Sequence, residues 1–333
     1  MTHARVVRRI APGFTLEADL PAGPGVTAIY GPSGAGKSLL LNLMAGFARP
    51  DSGRILIGDA IVFDGETRVN LPPRRRRAAH VSSRDTLFPN LDVRGNLLFA
   101  AGRWARLERH KRVAEMMEHF ALDETAASLP AARIACAILS EPRALLIDEC
   151  GVDETLLKRA TAAFPGPILL VTSDLDLIYA CETELALLAG GRVMEHGPAR
   201  RVIDAPESLE AARLVGFDNL ISAKVAGLDP GRNLSRLQAE HFVLAGPYLP
   251  GRFNGDRVTV AVRSRSLRAR AAEIAAGVNC VPLALESASE RVCSARLGFA
   301  HGIAVEMPRE DWERQRDNKA WQVEFPRSAL RVF

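Results

Sequence analysis

The sequence predicts an α/β domain built on a parallel sheet over residues 1–217, followed by an all-β domain over residues 218–333. Three observations predict this. Short apolar runs alternate with helical patterns up to about Phe217. Within that alternation, Gly31-Pro32-Ser33-Gly34-Ala35-Gly36-Lys37-Ser38 has the spacing of a phosphate-binding loop set between a strand and a helix. After Asp218 the helical patterns nearly vanish, and period-two runs such as Arg257-Val258-Thr259-Val260-Ala261-Val262 take over.

Each element of the first domain follows in order. Val26–Tyr30 is apolar throughout, as a buried parallel strand requires. The loop then turns on Gly31, Gly34 and Gly36, with Pro32, Ser33 and Ala35 between them, so that successive N–H groups converge on a phosphate. Lys37 reaches the terminal phosphates, and Ser38 offers its hydroxyl to Mg²⁺. Leu39 opens a helix that is apolar almost all round, through Leu40, Leu41, Leu43, Met44 and Phe47, and therefore buried. Gly31–Leu39 is thus the expected ATP-binding segment. Further strands are expected over 55–57, 144–147, 168–171 and 185–189. Helices are expected over 38–47, 92–100, 104–121, 131–139, 156–164, 174–181 and 207–215. In the 104–121 helix, Trp104, Leu107, Ala114, Met117 and Ala121 form the expected packing stripe. The strand Ala144–Ile147 ends in Asp148 and Glu149. With Ser38, Asp148 is the expected Mg²⁺ holder, and Glu149 the expected general base for an attacking water.

Composition bounds the class. At 333 residues, 47% hydrophobic and 25% charged, the chain has room for two or three ordinary globular domains. No apolar stretch approaches a membrane span and the N-terminus lacks a signal-peptide core, so a cytoplasmic protein is expected. Five cysteines (136, 150, 181, 280 and 293) are scattered without metal-ligand spacing. A net charge of +4 gives no argument for nucleic acid. Arg74–Arg77 is the one basic run that has the character to track phosphates.

The second domain repeats itself. Asn219-Leu220-Ile221-Ser222-Ala223 parallels Asn279-Cys280-Val281-Pro282-Leu283, and Ser235-Arg236-Leu237 parallels Ala295-Arg296-Leu297, both sixty positions on. Val260-Ala261-Val262 with Leu267-Arg268 parallels Val323-Glu324-Phe325 with Leu330-Arg331 at an offset of 63. Two copies of one small β-unit, about 218–272 and 278–333, are expected.

The motifs together resemble the nucleotide-binding subunits of ABC importers, most of all the molybdate type. The phosphate loop carries the resemblance together with Ala45–Ile55, Leu71–Arg77, Leu87–Leu97, Leu139–Glu149 and Gly191–Pro198. The β-rich remainder resembles the tandem OB-like regulatory barrels (TOBE type) that follow many such subunits. The resemblance implies a P-loop NTPase fold of the ABC ATPase type, with a shortened helical part. It also implies an integral-membrane permease as partner and a second ATPase subunit, identical or different. The location implied is peripheral, on the inner face of the cell membrane, with an oxyanion as the species met by the C-terminal domain. Arg74–Arg77 falls where the family carries a basic turn, so no nucleic-acid partner is expected.

Three departures set this chain apart from the pattern it resembles. The Phe-Gln pair of the family stands here as Ser82-Ser83, and no Gln occurs before Gln238. The Ser-Gly-Gly signature, whose glycines let the backbone approach a γ-phosphate, is missing. No glycine lies between Arg103 and Cys150, and Ser128-Leu129-Pro130 runs straight into Ala131. The family's switch histidine is Ser173, only 24 positions after Glu149. Gly151-Val152-Asp153 reads as a shortened remnant of the dimer-contact loop. Two readings follow. In one, retention of Glu149 marks an importer ATPase with weak or partner-dependent hydrolysis. In the other, the three losses mark an inactive nucleotide-binding regulatory or scaffold protein. Phe14 is a candidate adenine-stacking ring and equally a core residue, and Arg263, Arg265, Arg268 and Arg270 read as an oxyanion contact or a solvated basic edge.

Overall fold

The computed structural model describes residues 1–10, 13–84, 87–123, 129–271 and 277–333. They divide into two compact units, Met1–Asp204 and Ala205–Phe333.

In the first unit the described strands form one eleven-stranded sheet. Its parallel half runs Glu184–Ala189, Gly25–Tyr30, Pro167–Val171, Ala144–Asp148, Ala78–Ser82. Leu145, Leu146, Ile147, Ile168, Leu169 and Leu170 lie in it almost without exposure, as strands covered on both faces must. The other half is antiparallel, and of its strands only 55–57 was expected from the sequence. There Thr2–Ile10 pairs with both Phe14–Ala22 and Ser52–Ile57, and Ala60–Asp64 and Val69–Asn70 follow outward. Arg192–Pro198 joins the halves, antiparallel to Glu184–Ala189 and parallel to Phe14–Ala22. Thr2–Ile10 and Phe14–Ala22 escape a search for apolar runs because they bury one face only. Thr2, Ala4 and Val6 are buried while Arg5 between them is exposed.

Two apolar clusters hold the unit. One gathers Leu40, Leu41, Leu43 and Met44 of the helix Lys37–Ala45 with Ile29, Leu146, Leu169 and Leu188 of the sheet. The other joins Ile134, Ala135 and Leu139 of the helix Leu129–Leu139 to Leu97, Val113, Phe120, Ile147 and Leu170. A fully buried leucine contributes about 2–3 kcal/mol by leaving water. The helix Arg106–Phe120 corrects the expected stripe: Leu107 is 87% exposed, and Val113 and Phe120 are the buried positions. Met116 and Met117 pack beside them. The face is set by the four- and three-residue steps from Val113 to Phe120, which Leu107 and Ala114 do not share.

The second unit contains a five-stranded antiparallel sheet in the order Val243–Gly246, Leu234–Ala239, Asn219–Asp229, Arg257–Val262, Arg331–Val332. Two three-stranded sheets complete it: Arg268–Ala271, Trp321–Glu324, Cys280–Pro282, and Leu285–Glu290, Ser294–Phe299, Ile303–Pro308. One buried cluster, including Val260, Leu297, Phe299, Val305, Val323 and Phe325, lies beneath all three. The pairing is reciprocal. Val260 pairs with Val332, and 63 positions on from one and back from the other, Val323 pairs with Ala269. Two buried asparagines repeat the relation. Asn219 donates to Ala304 O at 2.9 Å and accepts from Ala304 N at 2.7 Å. Asn279 donates to Ala245 O at 2.9 Å and to Phe325 O at 3.0 Å, and accepts from Ala245 N at 2.7 Å.

A carboxamide that pairs with backbone groups inside the fold is costly to remove, by about 1–3 kcal/mol per stranded group. Asn219→Ala and Asn279→Ala are each expected to destabilise the protein by about 2–4 kcal/mol, with Asn279→Ala the larger because it strands one more carbonyl. Chemical-denaturant unfolding of the two variants against the parent checks both the size and the order.

Candidate functional site

The strand Gly25–Tyr30 lies inside the parallel half, flanked by Glu184–Ala189 and Pro167–Val171. Residues 31–36 leave its carboxyl end and enter the helix Lys37–Ala45. The crevice outside the carboxyl ends of parallel strands is where such sheets hold ligands. The loop's backbone needs its glycines at particular points. A Cβ on Gly31 would stand 1.9 Å from the carbonyl oxygen of Leu188. Gly34 and Gly36 have φ of +79° and +104°, which side chains rarely adopt. Gly36 is the N-cap of the helix, and no side chain caps it. The first N–H groups and the positive end of the helix dipole are therefore left open for an anion.

Pro32, Ser33 and Gly34 are exposed at the crest of the loop, while Ala35 is buried and Leu39 is half-buried over the core. Lys37 is nine-tenths buried and folds back on the loop, its Nζ donating to Gly31 O at 2.8 Å and Pro32 O at 3.0 Å. Its charge is thus held by neutral carbonyls. Ser38 Oγ donates to Asp148 Oδ1 at 3.0 Å, from positions 110 residues apart. The register Ser82↔Asp148↔Val171 sets Asp148 between two neighbouring strands. Glu149 is exposed and has a left-handed backbone, φ +43°, while its N–H donates to Val171 O at 3.1 Å. Ser38, Asp148 and Glu149 share a cleft of about 270 Å³ with Asn42, His80, Ser82, Ser83 and Arg84.

The structure thus places three of the expected residues, Ser38, Asp148 and Glu149, at one cleft. It also adds three that the sequence reading passed over. Asn42 is one helical turn beyond Ser38, and His80 shares a strand face with Ser82, so helix and strand periodicity were the available signals. Arg84 is visible in the sequence only as a charge after two serines. Ser83, where the resembled pattern has Gln, lines the cleft, whereas Ser173 stands exposed beyond Val171 and is not among the cleft residues. Asp153 caps the helix Glu154–Ala163, accepting from Leu156 N at 2.7 Å, which accounts for it locally. Ser128, at the place of the missing signature, lies outside the described residues. Phe14 keeps both of its readings: it packs against the core of the phosphate helix, and its ring lies 3.2 Å from where a Cβ on Gly36 would be.

Arg76, Arg77, Arg263 and Arg268 are occupied within the fold. Arg76 is 2% exposed and donates to Leu43 O at 2.6 Å, Met44 O at 3.2 Å, Leu71 O at 2.8 Å and Asn70 Oδ1 at 2.8 Å. Burial pulls its pKa down. Arg77 donates to Glu141 O at 2.7 Å. In the second unit, Arg263 lies over the Phe217 ring at 4.2 Å, and Arg268 is 3.8 Å from Glu324. Burial pushes the Cys136 thiol up to about 12, so it is a packing group rather than a nucleophile.

The ABC transporter family profile matches residues 15–151, which contain the loop and the Asp148–Glu149 strand end. The molybdenum import ATP-binding protein ModC of Paramagnetospirillum magneticum is 31% identical over 282 residues, spanning 78% of this chain and 77% of that protein. The chain belongs to the ABC transporter family, among its ATP-binding subunits. ModC of Rhodospirillum rubrum is 35% identical over 226 residues, spanning 62% of this chain and 61% of that protein. Among solved structures, cbiO1 of Clostridium perfringens, part of the ABC transporter complex cbiONQ, superposes with a TM-score of 0.52. That match, at 22% identity, covers 62% of this chain and 91% of cbiO1, and shows the shared fold. A nucleotide-binding fold of the ABC ATPase type followed by an all-β region is therefore the architecture. Among the described residues, no helix of this ABC subunit is long and apolar enough to cross a membrane.

The close approach of Gly31 to Leu188 gives a direct test. Gly31→Ala is expected to destabilise the first unit by about 1–3 kcal/mol, the usual cost of forcing atoms into a packed site. It is also expected to displace the loop, so that thermal unfolding and ATP affinity fall together. An unchanged melting temperature would contradict the geometry.

Proposed function

We propose that the chain is the ATP-binding subunit of an importer for molybdate or a related oxyanion, and that it grips Mg-ATP firmly while hydrolysing it weakly or only with a partner. The observation that carries the reading is the juxtaposition of an uncapped helix start, Lys37 and the Ser38–Asp148 hydrogen bond. The residues present fit a magnesium nucleotide. Glycine 31, 34 and 36 form a cradle that a Cβ would obstruct or strain, and Ser38 and Asp148 are hard oxygen donors already in contact. When bound, Mg²⁺ would neutralise charge on the terminal phosphates.

The chain's own groups then have separable tasks. Backbone N–H groups of 31–38 orient the phosphates, and Lys37 exchanges two carbonyl contacts for a charged one. Leu39 anchors the helix that presents these groups. Asp148 holds its oxygen toward Ser38. Glu149, exposed at the cleft, is the acceptor for a proton from an attacking water. Ser83 and Ser173 shorten the reach of two groups that other ABC subunits bring to the phosphate. The stretch between Arg103 and Cys150 has no glycine to bring a backbone against a partner's nucleotide. Loss of one transition-state stabiliser costs roughly 10²–10³ in rate, and groups that act as a unit do not multiply. Turnover by this chain paired with itself is therefore slow.

Several features support membrane-peripheral work with a permease. Phe88 and Phe99 are 47% and 65% exposed and meet edge-to-face with ring centroids 4.7 Å apart, an apolar patch suited to a partner. In the second unit, assigned here to two TOBE-type OB-like copies, Lys224 and Arg257 face each other across strands in a groove of about 600 Å³. That groove suits an oxyanion. The resemblance to ModC proteins, named for molybdenum import, supplies the substrate class. The regulatory reading rests on Ser83, Ser173 and the glycine-free stretch.

Steady-state phosphate release by the purified chain, alone and with co-purifying permease or a second ATPase subunit, separates the readings. Turnover is expected only with partners and is expected to disappear in Glu149→Gln. Lys37→Ala is expected to weaken Mg-ATP binding by about 10²-fold, the loss of one or two charged hydrogen bonds. Tight binding without turnover under every condition would leave the regulatory reading standing.

A further inference from the structure

The strand Ala78–Ser82 is the outermost of the parallel half, paired with Ala144–Asp148 in the register Ser82↔Asp148. Its residues alternate between two sides. Ala79 and Val81 join the cluster of Ile134 and Leu139, while Ala78 packs with the core of the phosphate helix. His80 follows Ala78, and its ring meets Phe47, just past that helix, edge-to-face with centroids 5.5 Å apart. The period of two carries Ser82 to the same side. The chain then turns at Ser83-Arg84, where Arg84 N donates to Ser82 Oγ at 3.3 Å. That turn delivers Arg84 to the cleft of Ser38, Asp148 and Glu149.

Arg84 differs from the arginines that hold the fold together. It is exposed, and among the described residues its guanidinium has no carboxylate or carbonyl partner. Asp148 and Glu149 line the same cleft, so an anion entering it meets two carboxylates and needs a cation to offset them. We propose that Arg84 binds the terminal phosphate of a nucleoside triphosphate and so lets the site tell ATP from ADP. This inference rests on the reading of the cleft as a magnesium-nucleotide site. Lys37 and the loop amides meet the ligand from the phosphate loop, and residues 31–37 are not among those lining this cleft. Arg84 comes instead from the strand end beside Asp148, where Ser38 and Glu149 also stand. The phosphate met there is the one nearest the attacking water. A guanidinium presents a planar fork that matches two phosphate oxygens at once. Ser83, its neighbour in the cleft, is too short for that task.

Isothermal titration with Mg-ADP and with the non-hydrolysable triphosphate Mg-AMP-PNP tests the assignment on the full chain, Arg84→Ala, Arg84→Lys and Lys37→Ala. Arg84→Ala is expected to weaken AMP-PNP binding about 10-fold or more, the loss of one charged contact, and to leave ADP binding within about 2-fold. Arg84→Lys keeps the charge without the fork and is expected to recover part of the loss. Thermal unfolding of Arg84→Ala is expected to match the parent, since the side chain is exposed. Equal weakening of both nucleotides by Arg84→Ala would mean that it only offsets Asp148 and Glu149, and would overturn the proposal. So would no change in either nucleotide while Lys37→Ala weakens both. A parent that binds neither nucleotide would instead overturn the reading of the cleft, and with it the role of Arg84.

Discussion

The helix Lys37–Ala45 cannot satisfy its own ends, and the first unit is arranged around that fact. At its start no side chain caps Gly36, so the N–H groups and the dipole face the crevice. At its end the carbonyls of Leu43 and Met44 are met by the buried guanidinium of Arg76. Gly46 makes that possible: a Cβ there would stand 2.6 Å from Arg76 Nε. Arg76 also donates to Leu71 O and Asn70 Oδ1, so the segment leading into Ala78–Ser82 is tied to the phosphate helix. The strand that lines the cleft and the helix that opens it are thus positioned by one side chain.

On the proposed reading, grip and turnover draw on different elements of this molecule. The phosphate-facing groups come from one strand–loop–helix unit and the adjoining strand end, where Lys37 and the Ser38–Asp148 pair are held close together. The groups that other ABC subunits use for sensing and closure come from separate loops. Here those positions are Ser83, Ser173 and a stretch without glycine. Glu149 keeps a carboxylate at the cleft on a left-handed backbone, a conformation that non-glycine residues adopt at some cost. Its retention is the physical reason for keeping hydrolysis in the account.

Much of this was legible in the sequence. The loop, its strand and helix, and the Asp148–Glu149 strand end were readable because buried parallel strands are apolar throughout and the glycine spacing is strict. Thr2–Ile10 and Phe14–Ala22 were not, because one-faced strands with alternating charges look polar in any short window. The stripe on Arg106–Phe120 was misplaced because the amphipathic pattern there is weak, with Glu, Lys, His and Arg throughout. His80 and Asn42 went unnoticed since only the fold brings positions 38, 42, 80 and 148 to one cleft. In the second unit the repeat was visible as an offset, but not the exchange it encodes. The strand Arg331–Val332 completes the sheet of Arg257–Val262, and Arg268–Ala271 pairs with Trp321–Glu324.

In the proposed function, Asp148, held by Ser38, makes this site a magnesium-dependent nucleotide grip. The most direct measurement is an equilibrium titration of the purified chain with a fluorescent ATP analogue, with and without Mg²⁺, repeated on Asp148→Asn. Binding by the parent is expected to be tight and to weaken at least about 10-fold when Mg²⁺ is withdrawn, and binding by Asp148→Asn is expected not to respond to the ion. Equal affinity with and without Mg²⁺, or an unchanged magnesium response in Asp148→Asn, would contradict it.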